Sequence, residues 1–331
     1  MDKQTRQRAI LQRLHSLVDQ PGEQARYALG LLDQQHGNQV VSAALDIVTA
    51  AATPEARPVL LRLYEYYDAA GIKRDAGSYL RSAILGALLP VADPTDWTLA
   101  EHATKTYEFL PPGREESTGT LRAAGLVLLS QLDPVLASYH CTRLLNDPHT
   151  SRMSGEPAVS AARLLAKQAH FLPLYAYVLG KREVVAEVEA ECLKLLAKIP
   201  TSVVDGLFAY YNTPVPAGGG LFMPYYETKD DVVLVGLFDL LLEHMTRGGY
   251  LDFTGTFLRT TQRYDVYNYL VSMIVANHQP EVWALLVEVA QREQNQRKIG
   301  ILHSAFALVR HDPAIIELTR ELQQKQEAKR S

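Results

Sequence analysis

The sequence predicts an all-α protein, an α-solenoid superhelix of stacked antiparallel helix pairs. Three observations predict it. Arg81, Arg122 and Arg163 lie 41 residues apart. Pro54, Pro94, Pro134 and Pro173 lie 40, 40 and 39 residues apart. The stretch 75–94 recurs at 116–134, and more loosely at 156–166. A fixed period near 40 marks one supersecondary unit repeated along the chain, each copy burying its apolar face against its neighbours.

Each unit reads as two helices, the first opening at the proline and the second carrying the arginine. Proline suits a first helical turn because its φ is already set and the missing N–H would have no partner there. Thr53, Asp93, Asp133 and Asp312 precede Pro54, Pro94, Pro134 and Pro313 and are capping residue types. Leu172, Ile199 and Gln279 precede Pro173, Pro200 and Pro280 and are poor caps. In the second helix Leu80, Ala83, Ile84, Ala87 and Leu88 share one face, and their small members would let neighbouring helices approach closely.

An acidic residue six positions before an arginine, at the head of a small-residue helix, resembles the HEAT repeat. Asp75/Arg81 and Glu116/Arg122 have that spacing, and Glu156/Arg163 is one residue longer. The resemblance covers roughly residues 37–173. It implies that these six residues form a ladder between stacked repeats, a structural role. The first unit has His36 and Ser42 and no such pair. The plain alternative is a helical bundle whose helices begin at prolines.

The elements are expected in order. Residues 3–18 read as an amphipathic helix with Ile10, Leu11, Leu14, Leu17 and Val18 on one face and Lys3, Arg6, Arg8 and Arg13 opposite, a solvated outer face. A helix over 23–35 follows. Helices are then expected near 38–51, 55–69, 76–90, 95–109, 115–132, 135–146, 156–168 and 173–180. Residues 183–198 place Glu183, Glu187 and Glu191 on one side and end in Lys194 and Lys198, the charge order that the helix dipole favours. Val185, Val188, Cys192, Leu195 and Leu196 make its buried side. Later helices are expected near 230–245, 249–261, 264–277, 281–293, 298–310 and 313–328. One solenoid domain over 1–331 is expected, with N-terminal repeats over 1–200, an insertion over 201–228 and C-terminal repeats over 229–331.

The insertion breaks the rhythm. Its residues 210–226 are rich in Gly, Pro and aromatics and cannot continue a helix. Tyr210, Tyr211, Phe222, Tyr225 and Tyr226 are the candidate residues for binding a ligand or partner there, and the alternative is inert packing.

Composition narrows the function. Charged residues are 21% and apolar ones 47% of the chain, enough for a core. A net charge of −4 argues against a whole surface built for nucleic acid or anionic lipid. Two distant cysteines, Cys141 and Cys192, make neither a disulfide framework nor a metal site. No apolar run reaches the length of a membrane span, and the N-terminus lacks a signal-type apolar core. A cytoplasmic protein is expected.

No catalytic residue, metal ligand or cofactor is assigned. Glu101-His102, His140-Cys141 and Glu243-His244 are sequence neighbours, and neighbours on a helix diverge. The chain has no zinc-protease motif and no nucleophile elbow, and its three glycines at 218–220 lack the Lys-Ser/Thr of a phosphate loop. The expected function is a non-enzymatic scaffold that holds a protein or peptide in a concave groove. The rival is a DNA-binding protein. In size and helical repeats the chain resembles the HEAT-like glycosylases of alkylated bases, for which Asp96-Trp97 and Glu281 with Trp283 are the acid–tryptophan neighbours here. Arg247, Arg259 and Arg263 among Tyr250, Tyr264, Tyr267 and Tyr269 would serve such binding by charge and stacking.

Overall fold

A computed structural model describes residues 3–32, 36–113, 115–180, 184–218, 220–245, 248–277, 279–309 and 313–327. The protein is all-α, with nineteen α-helices among these residues. The chain divides into two compact units, residues 1–170 and 171–331. No described helix is long and apolar enough to cross a membrane.

The first unit runs α1 (Lys3–Ser16), α2 (Pro21–Leu31), α3 (Asn38–Ala51), α4 (Ala56–Asp68), α5 (Gly71–Arg74), α6 (Tyr79–Leu88) and α7 (Trp97–Lys105). A short hairpin follows, β1 (Phe109–Leu110) and β2 (Glu115–Glu116), then α8 (Gly119–Leu132), α9 (Pro134–Leu145) and α10 (Ala158–Lys167). Helices α3, α6, α8 and α10 each pack on the next, and α4, α7 and α9 pack against members of this row. The small residues act as expected. A Cβ on Gly125 of α8 would lie 2.9 Å from the Ala100 carbonyl oxygen and the Ala103 Cβ of α7, so only glycine permits this crossing.

Two proline caps follow the rule. The Asp133 side chain accepts from the Leu136 amide at 2.9 Å. Asp93 accepts from the Thr95 amide, while Asp96 accepts from the Asp93 amide, a capping box ahead of α7. Thr53 departs: its backbone carbonyl takes the Ala56 amide in a turn, and α4 starts only at Ala56. Asp312 lies outside the described residues.

Two expected helices are shorter than the sequence pattern suggested. The 95–109 segment leaves the helix at Thr106, and the 115–132 segment enters it only at Gly119. Between them Pro111-Pro112-Gly113 forces a turn, and the flanking residues pair as strands, Phe109 opposite Glu116 and Leu110 opposite Glu115.

The second unit runs α11 (Leu172–Gly180), α12 (Ala186–Leu195), α13 (Thr201–Tyr211), β3 (Pro214–Gly218), β4 (Leu221–Pro224), α14 (Asp231–Leu242), α15 (Gly248–Thr260), α16 (Tyr264–Asn277), α17 (Pro280–Arg292), α18 (Gln296–Phe306) and α19 (Pro313–Glu327). Helices α12, α14, α16 and α18 pack in sequence, as do α15, α17 and α19. Gly236 of α14 sits directly on the backbone of Ala190 in α12. The expected break over 201–228 is therefore smaller. Residues 201–211 are helical, and the irregular part is a hairpin, with Val215 opposite Met223 and a bulge between Pro216 and Gly218.

Several polar side chains join elements 39 or 40 residues apart, while others span different distances, such as Arg263–Asp231 at 32 and Tyr269–Asp239 at 30. Arg57–Asp96, His140–Glu101 and the bond from Arg143 to the Thr104 carbonyl each span 39 residues. Tyr107–Asp147, Lys229–Glu189 and the bond from Lys298 to the Leu258 carbonyl each span 40.

Candidate functional site

The acid–arginine residues sit at the starts of α6, α8 and α10. Asp75 is buried; its carboxylate accepts from the Leu80 and Arg81 amides at 2.9 Å and lies 3.3 Å from Arg81 Nε. Arg81 is fully buried and donates to both oxygens of Glu108 at 2.7 Å, and to Asp68 at 3.2 Å. The pair lies against Gly71, where a Cβ would come within 2.6 Å of Arg81 Nη1. Arg122, also fully buried, donates to both oxygens of Glu116 at 2.6 and 3.0 Å. Asp147 lies 3.0 Å from its Nε as an ion pair without hydrogen-bond geometry, and the Tyr107 ring covers the guanidinium at 4.0 Å. Burial works against the charge of Glu116, yet the bonds from Arg122 and Thr118 hold its pKa below the usual value.

The third copy differs. Glu156 accepts from the Ser160 amide and hydroxyl as a cap, the residue six positions later is the buried Ala162, and Arg163 is exposed. One extra residue turns a helical side chain by about 100°, which carries the arginine off the buried face.

The five aromatic candidates divide between an anchor and a tip. Tyr211 is buried at the end of α13, and its hydroxyl donates to Glu189 at 2.5 Å. Lys229, which follows the hairpin, lies 2.7 Å from the same carboxylate, and its Nζ stands 4.5 Å above the Tyr225 ring. Tyr225 meets Tyr210 edge-on at 5.2 Å and stacks on Tyr211 at 6.0 Å. Tyr226 meets Phe253 of α15 edge-on at 5.1 Å. Burial, the largest single effect, disfavours the charge of Lys229, but Glu189 and Tyr225 together outweigh it and raise the pKa. Burial and the bond to Tyr225 push Tyr210 up to about 12. Four of the five aromatics thus clamp the hairpin base to the helices. Phe222 belongs to the tip, where it is 69% exposed beside Leu221 at 71%.

Glu189 is the residue that the sequence reading missed. It was hidden among Glu183, Glu187 and Glu191. Its register gives it away: it directly follows Val188 and lies three positions before Cys192, both buried. The buried side of α12 contains Glu189 and Leu193, whereas Val185 and Leu195 are half-buried. Glu183 lies outside the described residues.

Several of the remaining chemistry-bearing groups are engaged in structure, whereas Trp97, Arg259 and Glu281 are exposed. Asp96 is held by Arg57 through Nε at 2.9 Å and Nη2 at 2.6 Å. Arg263 donates to the carbonyls of Lys229 and Glu227 and to Asp231. Tyr250 and Tyr267 are buried, Tyr269 donates to Asp239, and Arg297 covers the Tyr264 ring at 4.2 Å, so these tyrosines do not form a free stacking platform. Arg247 lies outside the described residues. Cys141 and Cys192 are buried and not joined in a disulfide, and burial pushes the Cys141 thiol up to about 12. Among the described residues no group of three His, Cys, Asp or Glu is placed to hold a metal ion.

Comparison with protein-family models, with characterised proteins and with solved structures gives no match for this chain.

Proposed function

We propose that the chain is a HEAT-like α-solenoid and works as a non-enzymatic cytoplasmic scaffold that binds a protein or peptide partner. The polar bonds spanning 39 or 40 residues in both units support the solenoid, because stacked copies of one unit bond at equivalent positions. Two buried cysteines that form no disulfide suit a reducing compartment.

The observation that carries the binding role is the 214–224 hairpin. Its base is clamped by a buried carboxylate, a lysine and stacked tyrosines, while its tip holds Leu221 and Phe222 out to solvent. A fixed loop that keeps two large apolar side chains in water costs solvation energy unless something covers them. A presented apolar pair of this kind is the anchor that a partner's pocket takes. The test is a photo-crosslinking residue in place of Phe222, compared with one in place of the equally exposed Tyr139, in the native cell. A dominant cross-linked protein specific to position 222 is expected. The same background at both positions would remove the basis of the reading.

A further inference from the structure

A second surface lies in the first unit and stands independently of the hairpin. The loops leading into α6, α8 and α10 line a groove of about 670 Å³, bounded by Tyr79, Glu115, His149, Met153 and Glu156. The lining is mostly polar, and two large side chains stand uncovered in it: Tyr79 is 73% exposed and Met153 90%. Met153 is held there by its own loop, in which Ser151 Oγ accepts from the Met153 and Ser154 amides and the Ser151 amide donates to the Glu156 carbonyl. The Phe109 ring meets His149 edge-on at 5.2 Å.

The charge of the groove is one-sided. Glu115 and Glu156 have no cationic partner among the described residues. Arg81 and Arg122 are already paired with five carboxylates, those of Asp68, Asp75, Glu108, Glu116 and Asp147. Among the described residues of the lining, Arg152 is the one basic side chain other than His149. A phosphate backbone or an anionic membrane would be repelled.

We propose that this groove binds an extended basic peptide segment. The ammonium or guanidinium of a Lys or Arg meets Glu115 and Glu156, and its methylene stem lies along Tyr79 and Met153. Long basic side chains suit such a site because they carry an apolar stem beneath a charged head, and a cation over the Tyr79 ring gains further. The segment is extended because the lining comes from three successive loops, one before each second helix of the repeat.

The experiment is fluorescence anisotropy on the intact chain at about 50 mM salt, where exposed charge pairs are least screened. The probe is a labelled peptide of alternating Lys and Val, with an alternating Glu and Val twin as control. Binding of the basic peptide alone is expected. Glu115→Gln should weaken it up to about fivefold and flatten its salt dependence, and Tyr79→Ala about twofold to fivefold. Both side chains are exposed, so a helical circular dichroism spectrum identical to that of the parent checks the fold. The proposal is overturned if the basic peptide does not bind, if the acidic twin binds equally well, or if neither substitution changes the affinity. Competition by spermine as effective as that by unlabelled peptide of equal charge would also overturn it, because Tyr79 and Met153 would then contribute nothing.

Discussion

At the scale of single residues, Arg81 shows how a buried charge is tolerated. It lies among Asp68, Asp75 and Glu108, and its planar fork satisfies both oxygens of Glu108 at once. Removing one partner of a buried pair costs more than the pair is worth, because the others keep their charge without compensation. Arg81→Met should therefore destabilise the first unit by about 3–5 kcal/mol, read from urea unfolding followed at Trp97. His140 makes the opposite point. It is buried on α9, 3.1 Å from Glu101 and within 3.4 Å of Arg143, with Lys105 close by. Burial, the larger effect, lowers its pKa below 6.5, and Arg143 and Lys105 act in the same direction against the pull of Glu101. The folded state thus binds this proton less readily than the unfolded chain. The stability it supports is present above 6.5 and is lost as pH falls from there through the lowered value. Melting temperature should drop between pH 7.5 and 5.5 at constant ionic strength, and His140→Gln should reduce that drop. An unchanged slope in the variant would assign the pH dependence to other groups.

At the scale of elements, two devices set the geometry: close helix crossings and a clamped hairpin. Gly125 lets α8 lie on α7, and Gly236 lets α14 lie on α12. Overpacking a tight contact forces side chains off their rotamers and shifts backbones. Gly125→Val should cost about 1–3 kcal/mol or more, visible as a lower urea midpoint with an unchanged denaturant slope. The hairpin depends on Glu189, which receives Tyr211 and Lys229 together. Glu189→Ala should leave the Lys229 ammonium without its partner and loosen the hairpin base. Amide exchange over residues 214–224 should then rise about tenfold for each 1.4 kcal/mol lost, while α16 and α18 keep their protection. Joint replacement of Glu189 and Lys229 by Met should recover much of that protection, since no charge is then buried alone.

At the scale of the whole molecule, each unit contains its own core, and each contains one tryptophan, Trp97 in the first and Trp283 in the second. Trp283 packs edge-on against Phe306 at 5.7 Å. Chains built from neighbour-to-neighbour contacts need not unfold in one step. Single-tryptophan variants, Trp97→Phe and Trp283→Phe, should therefore give urea transitions with different midpoints. Coincident transitions would mean that the chain melts as one cooperative body.

Much of this was legible in the sequence, because it depends on local chemistry and period. The helical class, the proline starts at Pro94 and Pro134 and their aspartate caps follow from φ restriction and side-chain geometry within a few residues. The 41-residue spacing marked Arg81 and Arg122, and the resemblance to the HEAT repeat marked Asp75 and Glu116 as their partners. What remained for the tertiary structure was everything that depends on neighbours distant in sequence. Glu108 and Asp147 complete the two arginine sites from 27 and 25 residues downstream, with nothing in their local pattern to announce it. Glu189 reads as one more surface acid until Lys229 arrives beside it. The aromatic segment had to be placed in space before Tyr211 and Tyr225 could be told from Phe222, because burial is a property of what surrounds a side chain and not of the side chain itself.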